Sequence, residues 1–122
     1  MNKRKICFVT GSRADFGLLS MLIAETKKSN YFETQIIVTG SHLSSRFGNS
    51  YKEISESYEI NKKVKILGKN TSDLDIAKSI SNGVTKLSIS YKDLKPDMLV
   101  LLGDRYEILS ASIAALILNI PI

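Results

Sequence analysis

The sequence predicts an α/β protein built on a doubly wound parallel sheet, and three features of its pattern carry that prediction. Short apolar, β-favouring runs alternate with longer segments of helical character along the chain. The run Met98-Leu99-Val100-Leu101-Leu102 is uninterrupted, bounded by Lys95-Pro96-Asp97 and Gly103, which is how a central strand buried on both faces reads. The runs ending at Thr10, Thr39 and Leu102 each open into glycine followed by polar residues. In open parallel sheets, ligands sit outside the carboxyl ends of the strands, so these turns are where chemistry is expected.

Lys5-Ile6-Cys7-Phe8-Val9-Thr10 is the first predicted strand, apolar and flanked by charge. Gly11-Ser12-Arg13-Ala14-Asp15-Phe16-Gly17 follows as a turn. A helix is expected from Phe16 to Lys28, with Leu18, Leu19, Leu22 and Ile23 on one face. Lys27 and Lys28 lie near its end, where cations suit the helix dipole. Thr34-Gln35-Ile36-Ile37-Val38-Thr39 is the second strand, opening into a loop from Gly40 to Gly48. Together these form a βαβ unit with a phosphate-sized loop after each strand.

A short helix is expected from Asn49 to Tyr58 and a third strand from Asn61 to Leu67, with Val64 and Ile66 facing the core. Asn70-Thr71-Ser72-Asp73 supplies cap candidates for a long helix. Within it Ile80, Val84, Leu87, Tyr91 and Leu94 recur at steps of four, three, four and three. Gly83 sits in its middle at an expected cost of about 1 kcal/mol relative to alanine. Tyr106 to Leu118 is a helix by length and composition, apolar enough to expose a patch unless covered. Asn119-Ile120-Pro121-Ile122 reads as a turn entering a fifth strand. A doubly wound sheet does not normally end on the first residues of a strand, so the chain is expected to be the amino-terminal portion of a longer protein.

The 122 residues make one domain at most, of a size that buries about two thirds of its unfolded surface. No apolar run approaches the ~20 residues of a membrane span, and the first residues lead into a strand rather than a signal-peptide core. A cytoplasmic location without a membrane partner is expected. The single cysteine, Cys7, falls in a buried strand and suits a reducing compartment. The net charge of +5 comes mostly from scattered lysines, so no nucleic-acid partner is expected. Of the four arginines, Arg13, Arg46 and Arg105 lie in or close to the loops after strands, which points to a small anionic ligand.

Asp104 has two compatible readings. It is a carboxylate at a strand terminus, and it is also the N-cap of the next helix, since Asp104-Arg105-Tyr106-Glu107 has capping-box spacing. Glu107 is then structural. Arg13 could hold a diphosphate with the amides at the start of the following helix, or be a solvated surface arginine, or a partner for Asp15. Its loop lacks the G-x-G-x-x-G spacing of a dinucleotide site. His42, the only histidine, could orient a substrate hydroxyl or share a proton near neutral pH. Ser12, Ser41 and Ser44 show no triad spacing, and no cluster suggests a metal site.

Val9-Thr10-Gly11-Ser12-Arg13-Ala14-Asp15-Phe16-Gly17-Leu18-Leu19, Val38-Thr39-Gly40-Ser41-His42-Leu43, and Lys95-Pro96-Asp97 running on to Gly103-Asp104-Arg105-Tyr106-Glu107 together resemble one family. It is the hydrolysing branch of the UDP-N-acetylglucosamine 2-epimerases, which feed sialic and related nonulosonic acid synthesis. The resemblance implies a glycosyltransferase-B-type fold of two Rossmann-like domains with the active site between them. Residues 1–122 would be most of the amino-terminal domain, without the carboxyl-terminal nucleotide-binding domain. It implies elimination of UDP across C1 and C2 to a glycal, then addition of water to release N-acetylmannosamine and UDP, with no cofactor. Asp104 matches a carboxylate used in the acid/base steps, Arg13 a residue near the diphosphate, and His42 a loop lining the sugar site. Ser12, Asp15 and Arg105 complete the substrate-binding candidates. The branch of the family that keeps UDP attached shows a Gly-Thr-Arg-Pro-Glu type first loop; Ala14 and Asp15 in place of its Pro and Glu favour the hydrolysing branch. The family's second catalytic glutamate and a further acid fall beyond Ile122. This piece alone is therefore expected to be inactive, and the full-length form a homodimer.

Three other readings stand beside this one. The same chemistry on a UDP-linked diacetamido-trideoxyhexose shares every motif. A non-catalytic nucleotide-sugar binding module would keep the fold without the second half. A flavodoxin-like signalling domain lacks support, because Gly11-Ser12-Arg13 stands where a receiver domain has paired acids.

Overall fold

Side-chain alternation along the apolar runs sets the architecture, as the computed structural model shows for residues 2–66, 68 and 72–122. In β1 (Arg4–Thr10), Ile6 and Phe8 point to one side and Cys7 and Val9 to the other, and all four are buried. β1 pairs in parallel with β2 (Phe32–Thr39), Phe8 opposite Ile36, and with β4 (Met98–Leu101), Cys7 opposite Leu99. β3 (Lys62–Val64) joins beyond β2, giving the order β3-β2-β1-β4 with every pair parallel.

Helices cover both faces. α1 (Arg13–Lys28) and α2 (Tyr51–Ser57) bring Leu19, Ile23 and Ile54 onto Ile6, Phe8, Ile36 and Val38. α3 (Asp73–Leu94) and α4 (Tyr106–Ile117) bring Leu87, Tyr91, Ala111, Ala114 and Ala115 onto Cys7, Val9, Ile37, Val64 and Leu99. Burial without a neighbouring cation pushes the Cys7 thiol up to about 12, so it packs as a small apolar residue. No described helix is long and apolar enough to cross a membrane.

Several expectations are corrected. β1 and β2, not the run at 98–102, are the inner strands; β4 lies at one edge of the four. Only Leu99 of β4 is buried, with Met98 exposed and Val100 and Leu101 half-buried; the chain returning after α4 meets the free edge of β4, the Leu99 N–H donating to the Pro121 carbonyl at 2.8 Å, where the fifth strand was expected. α1 begins at Arg13 rather than Phe16, and its buried line is Leu19, Ile23 and Thr26. Leu18 and Leu22 face outward with Met21, because α1 rests on the sheet by a narrower stripe than its four leucine and isoleucine positions suggest. The Gly40–Gly48 stretch is two 3-10 turns, Gly40–Leu43 and Ser45–Phe47, rather than an open loop. Ser72 caps α3 by accepting from the Asp75 N–H; the candidates Asn70 and Thr71, and Leu67 at the end of the expected third strand, lie outside the described residues.

Gly83 has a packing reason. A Cβ there would lie 2.7 Å from Ser110 Oγ and 2.8 Å from Ser110 Cβ, so α3 and α4 touch with almost nothing between them. Ser110 Oγ donates to the Ile80 carbonyl across the same contact, and Tyr91 Oη, farther along α3, donates to the Ala111 carbonyl. The outer side of α4 leaves Leu109, Leu116 and Ile117 exposed, as its composition predicts.

Glycine to alanine in a helix normally stabilises by about 1 kcal/mol. Here Gly83→Ala is expected to destabilise by roughly 1–3 kcal/mol, through displacement of Ser110. Urea unfolding measures this, and a higher midpoint for the variant would contradict the packing account.

Candidate functional site at the carboxyl ends of the strands

The chain leaves β1 through only two residues. Ser12 is extended, and its Oγ accepts the Asp15 N–H at 3.2 Å, satisfying one of the free amides at the start of α1. The turn expected over Gly11–Gly17 is thereby shortened, and Arg13 and Asp15 stand in the first helical turn. Arg13 is exposed, with Nε 3.3 Å from Glu53 Oε2 of α2. Asp15 points toward the end of β4, its Oδ2 3.0 Å from where a Cβ on Gly103 would be.

The end of β2 is tied to the end of β1. Gly40 takes a φ of +60°, and the Ser41 N–H and Oγ–H both donate to the Gly11 carbonyl, at 2.9 and 3.0 Å. His42 is 0% exposed. Its Nε2 shares a hydrogen bond with Thr10 Oγ1 at 2.9 Å and its Nδ1 with Ser50 Oγ at 2.8 Å. Burial pushes the imidazole down to about 4, against the opposing charge of Asp15. The expectation of proton sharing near neutral pH is corrected: this histidine is neutral there, and it links the end of β1 to the residues before α2.

After β4, Gly103 (φ +134°) turns the chain into Asp104 and Arg105. The capping-box expectation fails, because the N-cap of α4 is Arg105 and no side chain caps it. Asp104 is exposed and makes no hydrogen bond or ion pair among the described residues. Glu107, the other half of the expected box, turns inward instead and is 0% exposed. A Cβ on Gly11 would lie 2.7 Å from Glu107 Cγ, and one on Gly40 would lie 2.8 Å from Glu107 Oε1. The carboxylate therefore fills the space left by two absent side chains. Arg105 Nε lies 3.1 Å from Oε1, but no N–H is well aligned on either oxygen, so the contact is an ion pair. Burial pushes the Glu107 carboxyl up, its own amide and Arg105 pull it back, and Asp15 adds to the rise.

Thr10, Gly11 and Ser12 from β1, Gly40 to His42 from β2, and Gly103 to Glu107 from β4 thus form one wall. Of the predicted site residues, Ser12, Asp15, His42 and Arg105 lie in it, with Asp104 on its open side and Arg13 displaced toward α2. An unpaired carboxylate next to an arginine suits acid/base work on an anionic substrate. The buried role of Glu107 was missed; the repeated Thr-Gly-Ser at 10–12 and 39–41 was the available signal that two strand ends approach something closely. Among the described residues no cluster of three His, Cys, Asp or Glu could hold a metal. A separate cavity, lined by Lys65, Asp75, Lys78 and Lys86 among others, lies along α3.

Residues 24–122 match the family model described as UDP-N-acetylglucosamine 2-epimerase. The chain is 45% identical over 122 residues to the GDP/UDP-N,N'-diacetylbacillosamine 2-epimerase (hydrolyzing) of Campylobacter jejuni, covering 100% of this chain and 32% of that protein. It is 37% identical over 120 residues to the UDP-N,N'-diacetylbacillosamine 2-epimerase (hydrolyzing) of Legionella pneumophila, covering 98% and 32%. The solved UDP-GlcNAc 2-epimerase of Neisseria meningitidis, bound to UDP-GlcNAc, shares the fold with a TM-score of 0.78 at 24% identity, over 96% of this chain and 30% of that one. The chain spans about a third of the length of the curated relatives it matches.

The folded His42 value lies below the ordinary 6.5, so the unfolded chain binds the extra proton first as pH falls. The stability tied to neutral His42 is thus complete above about 6.5 and lost on acidification toward about 4, a loss of about 3 kcal/mol. As the only histidine, it gives unambiguous NMR signals, which are expected not to titrate between pH 8 and ~5.5. A midpoint near 6.5 would show an open, solvated ring.

Proposed function

The chain belongs to the UDP-N-acetylglucosamine 2-epimerase family, and on that premise we propose that it forms one wall of the active site of a hydrolysing 2-epimerase acting on a UDP-linked 2-acetamido sugar. The observation that carries this reading is the exposed, unpaired Asp104 beside Arg105 at the carboxyl end of β4, with Asp15 reaching over from α1.

In this reading Asp104 moves a proton in the elimination, as the C2–H bond breaks and the C1–O bond to UDP is cleaved. Water then adds to the glycal to give the free sugar with inverted C2. Arg105 and Arg13 offset the charge of the diphosphate, Arg13 by leaving its exposed pairing with Glu53. Ser12 Oγ accepts from the Asp15 amide and keeps its own proton for a ligand oxygen. Asp15 faces the sugar. His42 acts from beneath, holding Thr10 and Ser50 so that the sugar-side loop keeps its shape. Residues 1–122 act as the Rossmann-like amino-terminal domain of a glycosyltransferase-B-type fold, with a second domain supplying most uridine contacts. The reading includes a homodimeric full-length form, a cytoplasmic location, a role in supplying sialic-type acid synthesis, and neither nucleic-acid nor membrane partners.

The names of the relatives at 45% and 37% identity favour a 2,4-diacetamido-trideoxyhexose, N,N'-diacetylbacillosamine, over N-acetylglucosamine as the sugar. UDP-N-acetylglucosamine is the second reading, supported by the description of the family model. One wall of a cleft, open to water on its other side, does not hold the sugar between a positioned acid and base, so the 122-residue chain by itself is inactive in this account.

Assays of UDP release test these points. The full-length gene product is expected to release UDP faster from UDP-N,N'-diacetylbacillosamine than from UDP-N-acetylglucosamine, and the 122-residue chain from neither. Faster turnover of UDP-N-acetylglucosamine would select the second reading, and release by the short chain would refute its dependence on a second wall. Asp104→Asn in the full-length product is expected to lower kcat by about 10²–10⁴-fold with KM little changed. Unchanged kcat would remove Asp104 from the chemistry.

A further inference from the structure

A charged side chain with no exposure, in the first turn of a helix whose start is open to solvent, needs a reason. Glu107 could have pointed outward as the sequence pattern suggests; instead its carboxylate lies between the ends of β1 and β2, where Gly11 and Gly40 leave room. Burial of a carboxylate is costly unless a cation compensates it. The cation in contact is Arg105, whose Nε is 3.1 Å from Oε1. The other charged or titratable groups acting on this region are Asp15 from α1, which opposes a second negative charge, and His42 from the 3-10 turn after β2, which is neutral.

The direction of the pairing matters. Arg105 meets Glu107 through Nε, and its side chain is 43% exposed. The guanidinium is planar, so an ion pair that draws its Nε side toward Glu107 leaves the outer nitrogens on the far side, where they present paired donors to a ligand. A free arginine in a turn would lose rotamer entropy on binding an anion; one already held loses less.

We propose that Glu107 is a positioning residue whose buried carboxylate, seated on Gly11 and Gly40, holds the Arg105 guanidinium ready for the diphosphate of a nucleotide sugar. The ligand named here rests on the proposed function above; the link between Glu107 and Arg105 does not. Glu107 touches no reacting atom. Its effect on binding passes through Arg105, and that separates it from a residue that merely stabilises the fold.

The test uses the full-length gene product and Glu107→Gln, which keeps the shape and removes the charge. In nitrogen-15 NMR spectra the Arg105 Nε–Hε signal, assigned by its loss in Arg105→Gln, is expected to move and to exchange faster with water in Glu107→Gln, while the other arginine signals stay in place. Calorimetry is expected to show UDP binding weakened about tenfold by Glu107→Gln, with no further loss when the change is made in an Arg105→Gln background. An unmoved Arg105 signal, an unchanged UDP affinity, or losses that add in the double variant would overturn the proposal. Should Glu107→Gln fail to fold, Arg105→Gln reads the same link from the other side: the Glu107 carboxyl carbon signal must shift, and its constancy would count against the pairing. If the unaltered protein does not bind UDP, the nucleotide-sugar reading falls and this proposal's ligand with it, while the Arg105 signal still decides whether Glu107 holds the guanidinium.

Discussion

The structure depends on the close approach of one carboxylate to two glycines. Glu107 sits where side chains on Gly11 and Gly40 would otherwise be, so the ends of β1 and β2 and the start of α4 close on a common point. The Gly11 carbonyl, which accepts both the Ser41 N–H and its hydroxyl, ties the two strand ends together beneath that point. The Glu107–Arg105 contact, half-exposed on the arginine side, therefore couples the shape of the wall to a guanidinium that reaches solvent at the crevice.

The remainder of the fold serves to put that point at the right edge of the sheet. Parallel pairing of β1 with β2 and β4 brings three carboxyl ends to one side. The position of α4, which carries Glu107, is set by its contact with α3 at Gly83 and Ser110, where small residues allow the helices to touch. Alanines 111, 114 and 115 continue this contact onto Cys7, Val9 and Leu99. A displacement of α4 along α3 would carry the Glu107 carboxylate away from its two glycines. Packing in the core is thus connected to the geometry of the crevice by a single short helix.

Much of this was legible from residues alone. The three-layer α/β arrangement, the existence of the four strands and four α-helices, and the burial of Cys7, Val64, Ile66, Leu87 and Tyr91 follow from apolar period and turn chemistry. Strand order did not, since an uninterrupted apolar run reads the same whether it lies inside the sheet or at its edge beside the returning chain at Pro121. The start of α1 was misplaced because Gly11 and Gly17 bracket the segment like a turn, while the Ser12 cap, a local hydrogen bond, decides the outcome. At Asp104 the local rule pointed the wrong way. Capping-box spacing is a statement about a helix in isolation, and here the tertiary space left by two distant glycines and the charge of Arg105 draw Glu107 inward. The buried setting of His42 was equally hidden, because nothing in Gly40-Ser41-His42 reveals that Thr10 and Ser50 will meet both ring nitrogens.

The site geometry points to one edge of the sheet, and a ligand observed there tests the account most directly. The decisive measurement is a crystal structure of the full-length gene product with UDP bound. The diphosphate is expected over the carboxyl ends of β1, β2 and β4, within hydrogen-bond distance of Arg105, with Glu107 still buried behind it. A diphosphate seated elsewhere, such as against Lys65, Lys78 and Lys86 along α3, with Arg105 turned away, would contradict it.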